Sequence, residues 1–166
     1  MKKYTCSFCF LLFNSITNAQ SVLDKYGDRI ELLGVPFRGP MELCQILIAI
    51  FLSIAFLQSG LDKITDRKGN LEFLNSHFGD SLLLKTIPFM LFILTFLELT
   101  GSLMLIYGAY YAFISRSTLW IFYGFVILAI TIIILFAGQR IAKDYLGAAD
   151  LVPYFILIML GIMSMY

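Results

Sequence analysis

The stretch TFLELTGSLM, residues 95–104, carries one carboxylate, Glu98, inside a run that is otherwise uncharged. Thr95 and Ser102 stand three residues before and four after it, so a helix through this run gathers all three on one polar stripe. Glu98 falls eleven residues after Ile87, where the run begins. At about 1.5 Å per residue that is near the centre of a bilayer, from which a short acid cannot reach water. The stripe must therefore face other helices, with Ser53 and Thr131 expected at comparable depth. No cation lies on the stripe, so burial favours the neutral acid, which both donates and accepts a hydrogen bond. Two uses fit that chemistry. Glu98 handles a proton or a quinone carbonyl, or it ties helices together at the ~0.6 kcal/mol typical of polar contacts in membranes.

A second polar group gathers toward one membrane face: Gln58, Lys63, Lys85, Gln139, Arg140 and Lys143. Such a rim binds an anion or an acidic partner surface. Equally, its cations are ordinary helix-end residues that snorkel to the interface, the simpler reading for Lys85 and Lys143. His77 has no second histidine or cysteine nearby in the sequence, so no metal site is expected. A Gly-rich phosphate loop, a haem attachment motif and a Ser/His/Asp constellation are all missing from the sequence. An enzyme acting alone is not indicated, and no intrinsic cofactor is expected.

These residues need helices to position them, and the composition supplies the helices. Hydrophobic residues make up 60% of the chain, charged residues 14%, and mean hydropathy is +0.87. That exceeds the roughly 45–50% apolar content of a soluble domain and marks a chain whose first partner is the lipid bilayer. Twelve basic residues against eleven acidic exclude the dense positive surface of a nucleic-acid binder. Four apolar runs, at about 43–57, 87–107, 119–137 and 151–165, reach spanning length with their flanks. None alternates with a period of two, which favours helices over a transmembrane barrel, and the expected fold is all-α, an integral membrane four-helix bundle. Leu71, Leu74 and Phe78 recur at helical spacing between the first two runs, which predicts a short amphipathic interfacial helix there. Tyr107, Tyr110, Tyr111, Phe113 and Trp120 form an aromatic belt about the second loop, with Tyr145 and Tyr154 available to the opposite side.

Small or mildly polar residues recur on one face of several spans: Ala49, Ser53, Gly60 and Lys63; Gly124, Thr131 and Gly138; Tyr154, Leu157, Gly161 and Ser164. They let backbones approach, either within the bundle or against other membrane proteins. Pro88 and Pro153 are expected near helix starts, where proline is tolerated. No paired broken-helix pattern of the kind found in transporters with inverted repeats is present.

Residues 1–19 have Lys2 and Lys3, an apolar core from Tyr4 to Phe13 and small residues at Thr17 and Ala19. They read as a signal peptide cleaved before Gln20, or as an uncleaved interfacial helix. Cys6 and Cys9 lie inside this segment, so their C-x-x-C spacing carries no redox assignment, and Cys44 is a packing residue. A polar lead-in at 20–41 precedes the membrane domain at 42–166. With the leader removed, six basic residues on one side face four on the other, which places the first and third loops inside and both ends of the mature chain outside.

SGLDKITD at 59–66, ELTGSLMLIYG at 98–108 and GQRIAKDYLGAADLVPY at 138–154, in that order on four spans, resemble the DoxX family over about residues 42–166. The matching positions are Gly60, Leu61 and Lys63, then Glu98, Gly101 and Gly108. The resemblance implies a four-helix bacterial inner-membrane protein associated with redox modules, including quinone-linked thiosulfate oxidation and thiol-stress complexes. It implies quinone as the exogenous group and a redox partner protein that supplies any dithiol chemistry, since the matched region has no thiol pair. The alternative function is a non-catalytic membrane scaffold or assembly factor working through the small-residue faces and the basic rim.

Overall fold

The structure, a computed structural model, describes residues 30–32, 35–37, 39–77, 87–115 and 117–165. The leader with Cys6 and Cys9, most of the lead-in, Phe78, Lys85 and Arg116 lie outside the described residues. Two compact units divide the chain, one ending at Leu43 and one running from Cys44 to Tyr166. In the first, β1 (Ile30–Leu32) pairs antiparallel with β2 (Val35–Phe37), Ile30 opposite Phe37 and Leu32 opposite Val35. Three-residue strands are too short to read from an alternation pattern, and this hairpin was not expected.

The second unit is the membrane domain. Its helices are α1 (Pro40–Thr65, whose first turn belongs to the preceding unit), α2 (Arg67–His77), α3 (Ile87–Ser115), α4 (Leu119–Ile141) and α5 (Tyr145–Met163). All except α2 are long and apolar enough to cross a bilayer, so the chain is a multi-pass membrane protein. Helix α1 runs well beyond the apolar stretch at 43–57, because helical hydrogen bonding continues through the polar turn that holds Ser59, Asp62 and Lys63. Helix α5 begins six residues before Leu151, where its cap lies.

Short polar devices set the helix boundaries. Asp66 caps α2, accepting from the Gly69 N–H at 3.1 Å, while the Asn70 side chain donates to the Asp62 and Asp66 carbonyls. Helix α4 ends in a Schellman turn: Lys143 N–H donates to the Arg140 carbonyl and Asp144 N–H to that of Gln139, with Lys143 itself left-handed at φ 61°. Asp144 then caps α5 by accepting from Gly147 N–H at 2.9 Å. Pro88 is the second residue of α3, as expected. Pro153 is not at a helix start. It is the ninth residue of α5, because that helix starts at the cap and not at the apolar run, and its missing N–H leaves the Ala149 carbonyl without the usual donor.

The four spanning helices run up and down and close on one another. Phe125 and Leu128 of α4 and Leu105 of α3 are fully buried between them. Glycine permits the closest approach: a Cβ on Gly108 would lie 2.6 Å from the Ile121 backbone nitrogen, and one on Gly161 2.6 Å from the Phe125 ring. At one end Gln45 donates its side-chain N–H to the Ser164 carbonyl at 2.6 Å, joining α1 to the end of α5. Outward faces carry large apolar side chains, among them Phe89, Phe92 and Phe96, each at least 60% exposed; in a bilayer these meet lipid.

Candidate functional site

Glu98 is not a lone acid. Lys63 Nζ lies 2.9 Å from one of its carboxylate oxygens and 3.0 Å from the other, so α1 supplies the cation that the stripe around Glu98 lacks. The expectation that the acid has no cation beside it is corrected by this contact. It was missed because Lys63 precedes Glu98 by 35 residues and comes into reach only through the antiparallel packing of α1 on α3. Gly60 brings the helices close: a Cβ there would meet the Leu99 side chain at 2.8 Å and the Glu98 Cβ at 3.7 Å.

Ser59 completes the cluster. Its hydroxyl accepts from Lys63 Nζ at 2.7 Å and faces Glu98 Oε1 at 3.4 Å. Ser59 belongs to neither the expected polar stripe nor the expected rim, although it stands four residues before Lys63, on the same face of the helix. Glu98 is 1% exposed and Lys63 17%, so the pair is desolvated on the acid side and reachable on the lysine side.

The other polar residues divide. Leu128 packs near Gly101 and Leu105 near Gly124, a register that puts buried Thr131 level with Glu98 and in the middle of α4. Its hydroxyl, however, donates to the Ile127 carbonyl of its own helix at 2.8 Å. Thr95 does the same to Leu91, Ser102 to Leu99 and Ser53 to Ile50. A hydroxyl that bonds back to its own backbone meets its hydrogen-bonding need without a partner helix, so the hydrogen bonds of these four are not interhelical ties. Ser53 is also displaced in depth. Gly60 is the α1 residue beside Glu98 and Leu99, which leaves Ser53 about 10 Å away along the helix.

The basic rim does not converge as a unit. Gln58 is exposed, and Arg140 lies 4.6 Å over the Tyr145 ring, a cation–π contact within the α4–α5 corner. The Gln139 amide oxygen is buried with no hydrogen-bond partner among the described residues. Among the described residues of the rim, Lys63 alone joins Glu98. No group of three or more potential metal ligands occurs among the described residues.

Two cavities flank the Lys63–Glu98 pair. One, about 180 Å³, is walled by Phe56, Ile132, Leu135 and Leu151, with Ser59, Glu98 and Tyr154 as its polar members. Tyr154 reaches it from mid-α5, its ring edge-on to Phe56 at 6.1 Å, so it lines the cavity instead of serving only as a belt residue. The other, about 320 Å³, lies between Lys63 and Arg67 on one side and Leu91, Phe92, Thr95 and Phe96 of α3 on the other. The acid thus lines one cavity and its counter-ion the other.

Comparison with curated proteins and with solved structures found no match. The DoxX family model matches residues 45–138, more than half of the chain, and takes in the whole Ser59–Lys63–Glu98 cluster. The four spans and this match agree, and the chain belongs to the DoxX family.

Proposed function

We propose that the chain is a membrane subunit of a quinone- or sulfur/thiol-linked redox complex in the bacterial inner membrane, with the 180 Å³ cavity as the place where a quinone head binds. The observation that carries this reading is a buried acid, hydrogen-bonded to a lysine, that lines a mainly apolar cavity of ring-like size. Ligand sites combine apolar walls with a few convergent polar groups, and Phe56, Ile132 and Leu151 beside Ser59, Glu98 and Tyr154 meet that description. A bound quinone supplies the electron-accepting chemistry. The chain's own part is to exclude water, orient the ring through the Tyr154 and Ser59 hydroxyls, and hold a transferable proton between Lys63 and Glu98. Electrons come from a partner protein, since the sequence has no cofactor-binding motif of its own.

The test isolates the protein with its native companions, identifies them by mass spectrometry, and measures quinone reduction in the isolated complex. Tyr154→Phe removes one hydroxyl and leaves the ion pair intact; it is expected to raise KM for quinone several-fold with the partner retained. Glu98→Gln is expected to lower kcat at least tenfold. Unchanged rates in both variants, with the partner still bound, make the cluster structural and remove the redox reading. The scaffold alternative cannot use the small-residue faces, since Ala49, Gly60, Gly124 and Gly161 are buried inside the bundle, and is left with the exposed Arg140 and Lys143 of the rim.

A further inference from the structure

The larger cavity is not used by that function, and its chemistry is different. It has two cations and no acid along its wall: Lys63, whose charge is met by Glu98, and Arg67, exposed and without an ion-pair partner among the described residues. Asp66, the nearest acid in sequence to Arg67, directs its carboxylate to the Gly69 N–H of the α2 cap. The site therefore offers one uncompensated positive charge. Arg67 stands one helical turn beyond Lys63, toward the end of the bundle where α1 gives way to α2. Below it the wall is apolar, formed by Leu91, Phe92 and Phe96 of α3, and Phe92 and Phe96 are 63% and 60% exposed. Thr95 adds no free donor, since its hydroxyl is bonded to the Leu91 carbonyl. A charged end over an apolar trough that opens sideways matches an amphiphile entering from the bilayer and not a solute entering from water. At about 320 Å³ the cavity is within the range of small-molecule sites.

We infer that this groove binds an anionic phospholipid, its phosphodiester on the Arg67 guanidinium beside Lys63 and an acyl chain along Leu91, Phe92 and Phe96. One negative charge against one free cation selects phosphatidylglycerol-type lipids over zwitterionic ones, because the latter bring a second cation to the arginine.

Native mass spectrometry and thermal unfolding of the full-length protein in neutral detergent, titrated with phosphatidylglycerol or phosphatidylcholine, test this. Phosphatidylglycerol is expected to stay bound and raise the melting temperature, with phosphatidylcholine inactive. Arg67→Gln should weaken phosphatidylglycerol about fivefold, the factor for one basic residue near an anionic headgroup, while Lys68→Gln, next in sequence and outside the cavity, leaves it unchanged. Thr95→Phe keeps both charges and fills the trough, and should abolish binding. Equal binding of the two lipids, an equal loss in Lys68→Gln, or full binding in Thr95→Phe overturns the assignment. So does an equal temperature shift from inorganic phosphate alone, which would make the site one for a free anion. Quinone turnover enters none of these readings, so the site stands or falls apart from the redox proposal.

Discussion

At the scale of residues, the ion pair between Lys63 and Glu98 decides how the interior of this bundle is held. A buried pair is weak evidence of net stabilisation, since desolvation offsets most of the attraction, but removing one partner strands the other. Lys63→Met leaves Glu98 without its cation and is expected to cost about 3 kcal/mol, less where the acid takes up a proton instead. Glu98→Met strands a lysine that is partly exposed, so its cost should be smaller. The double variant Lys63→Met/Glu98→Met should recover much of the loss. A coupling of at least ~1 kcal/mol in a double-mutant cycle of thermal unfolding confirms the contact, and simple additivity denies it. Ser59→Ala removes the acceptor 2.7 Å from the ammonium and is expected to cost about 1 kcal/mol on the same assay.

At the scale of elements, backbone geometry makes sharper predictions than side-chain chemistry. Lys143 holds a left-handed conformation between α4 and α5, where a β-carbon crowds the neighbouring carbonyl. Lys143→Gly is therefore expected to stabilise the protein by about 1 kcal/mol, seen as a higher melting temperature. Gly108 presents the opposite case. Its missing Cβ is the space into which the start of α4 packs, and the obstacle is the Ile121 backbone, which cannot rotate away. Gly108→Ala should force α3 and α4 apart and cost about 1–3 kcal/mol, whereas the same change at an exposed helix position raises stability. The α3–α4 corner also stacks its aromatics: Tyr107 lies 5.8 Å from Tyr111 and 5.4 Å from Trp120, which gives the expected belt a definite packing.

At the scale of the whole molecule, four spans put the α1–α3 connection and the α4–α5 turn on one side and the α3–α4 loop on the other. With residues 1–19 removed, six lysines and arginines on the first side stand against four on the other, so the first side is expected to face the cytoplasm. A single cysteine placed at Ser117 is expected to react with an impermeant thiol reagent in intact cells, and one at Lys143 only after permeabilisation; the reverse pattern inverts the topology. The number of spans and their helical type were legible in the sequence. Each follows from apolar run length and from the cost of leaving backbone polar groups unpaired in lipid, which are local properties of the chain. The same locality put Glu98 among the functional candidates, since an acid in such a run calls for explanation wherever its neighbours lie. What it bonds to was decided by tertiary structure alone. The depth of Lys63 depends on how far α1 continues past its apolar stretch, and its reach to Glu98 on how α1 and α3 are offset where Gly60 lets them close. Residues 35 apart in the chain meet through that offset, and an offset between packed helices is a property of surfaces fitting together, which no single segment encodes.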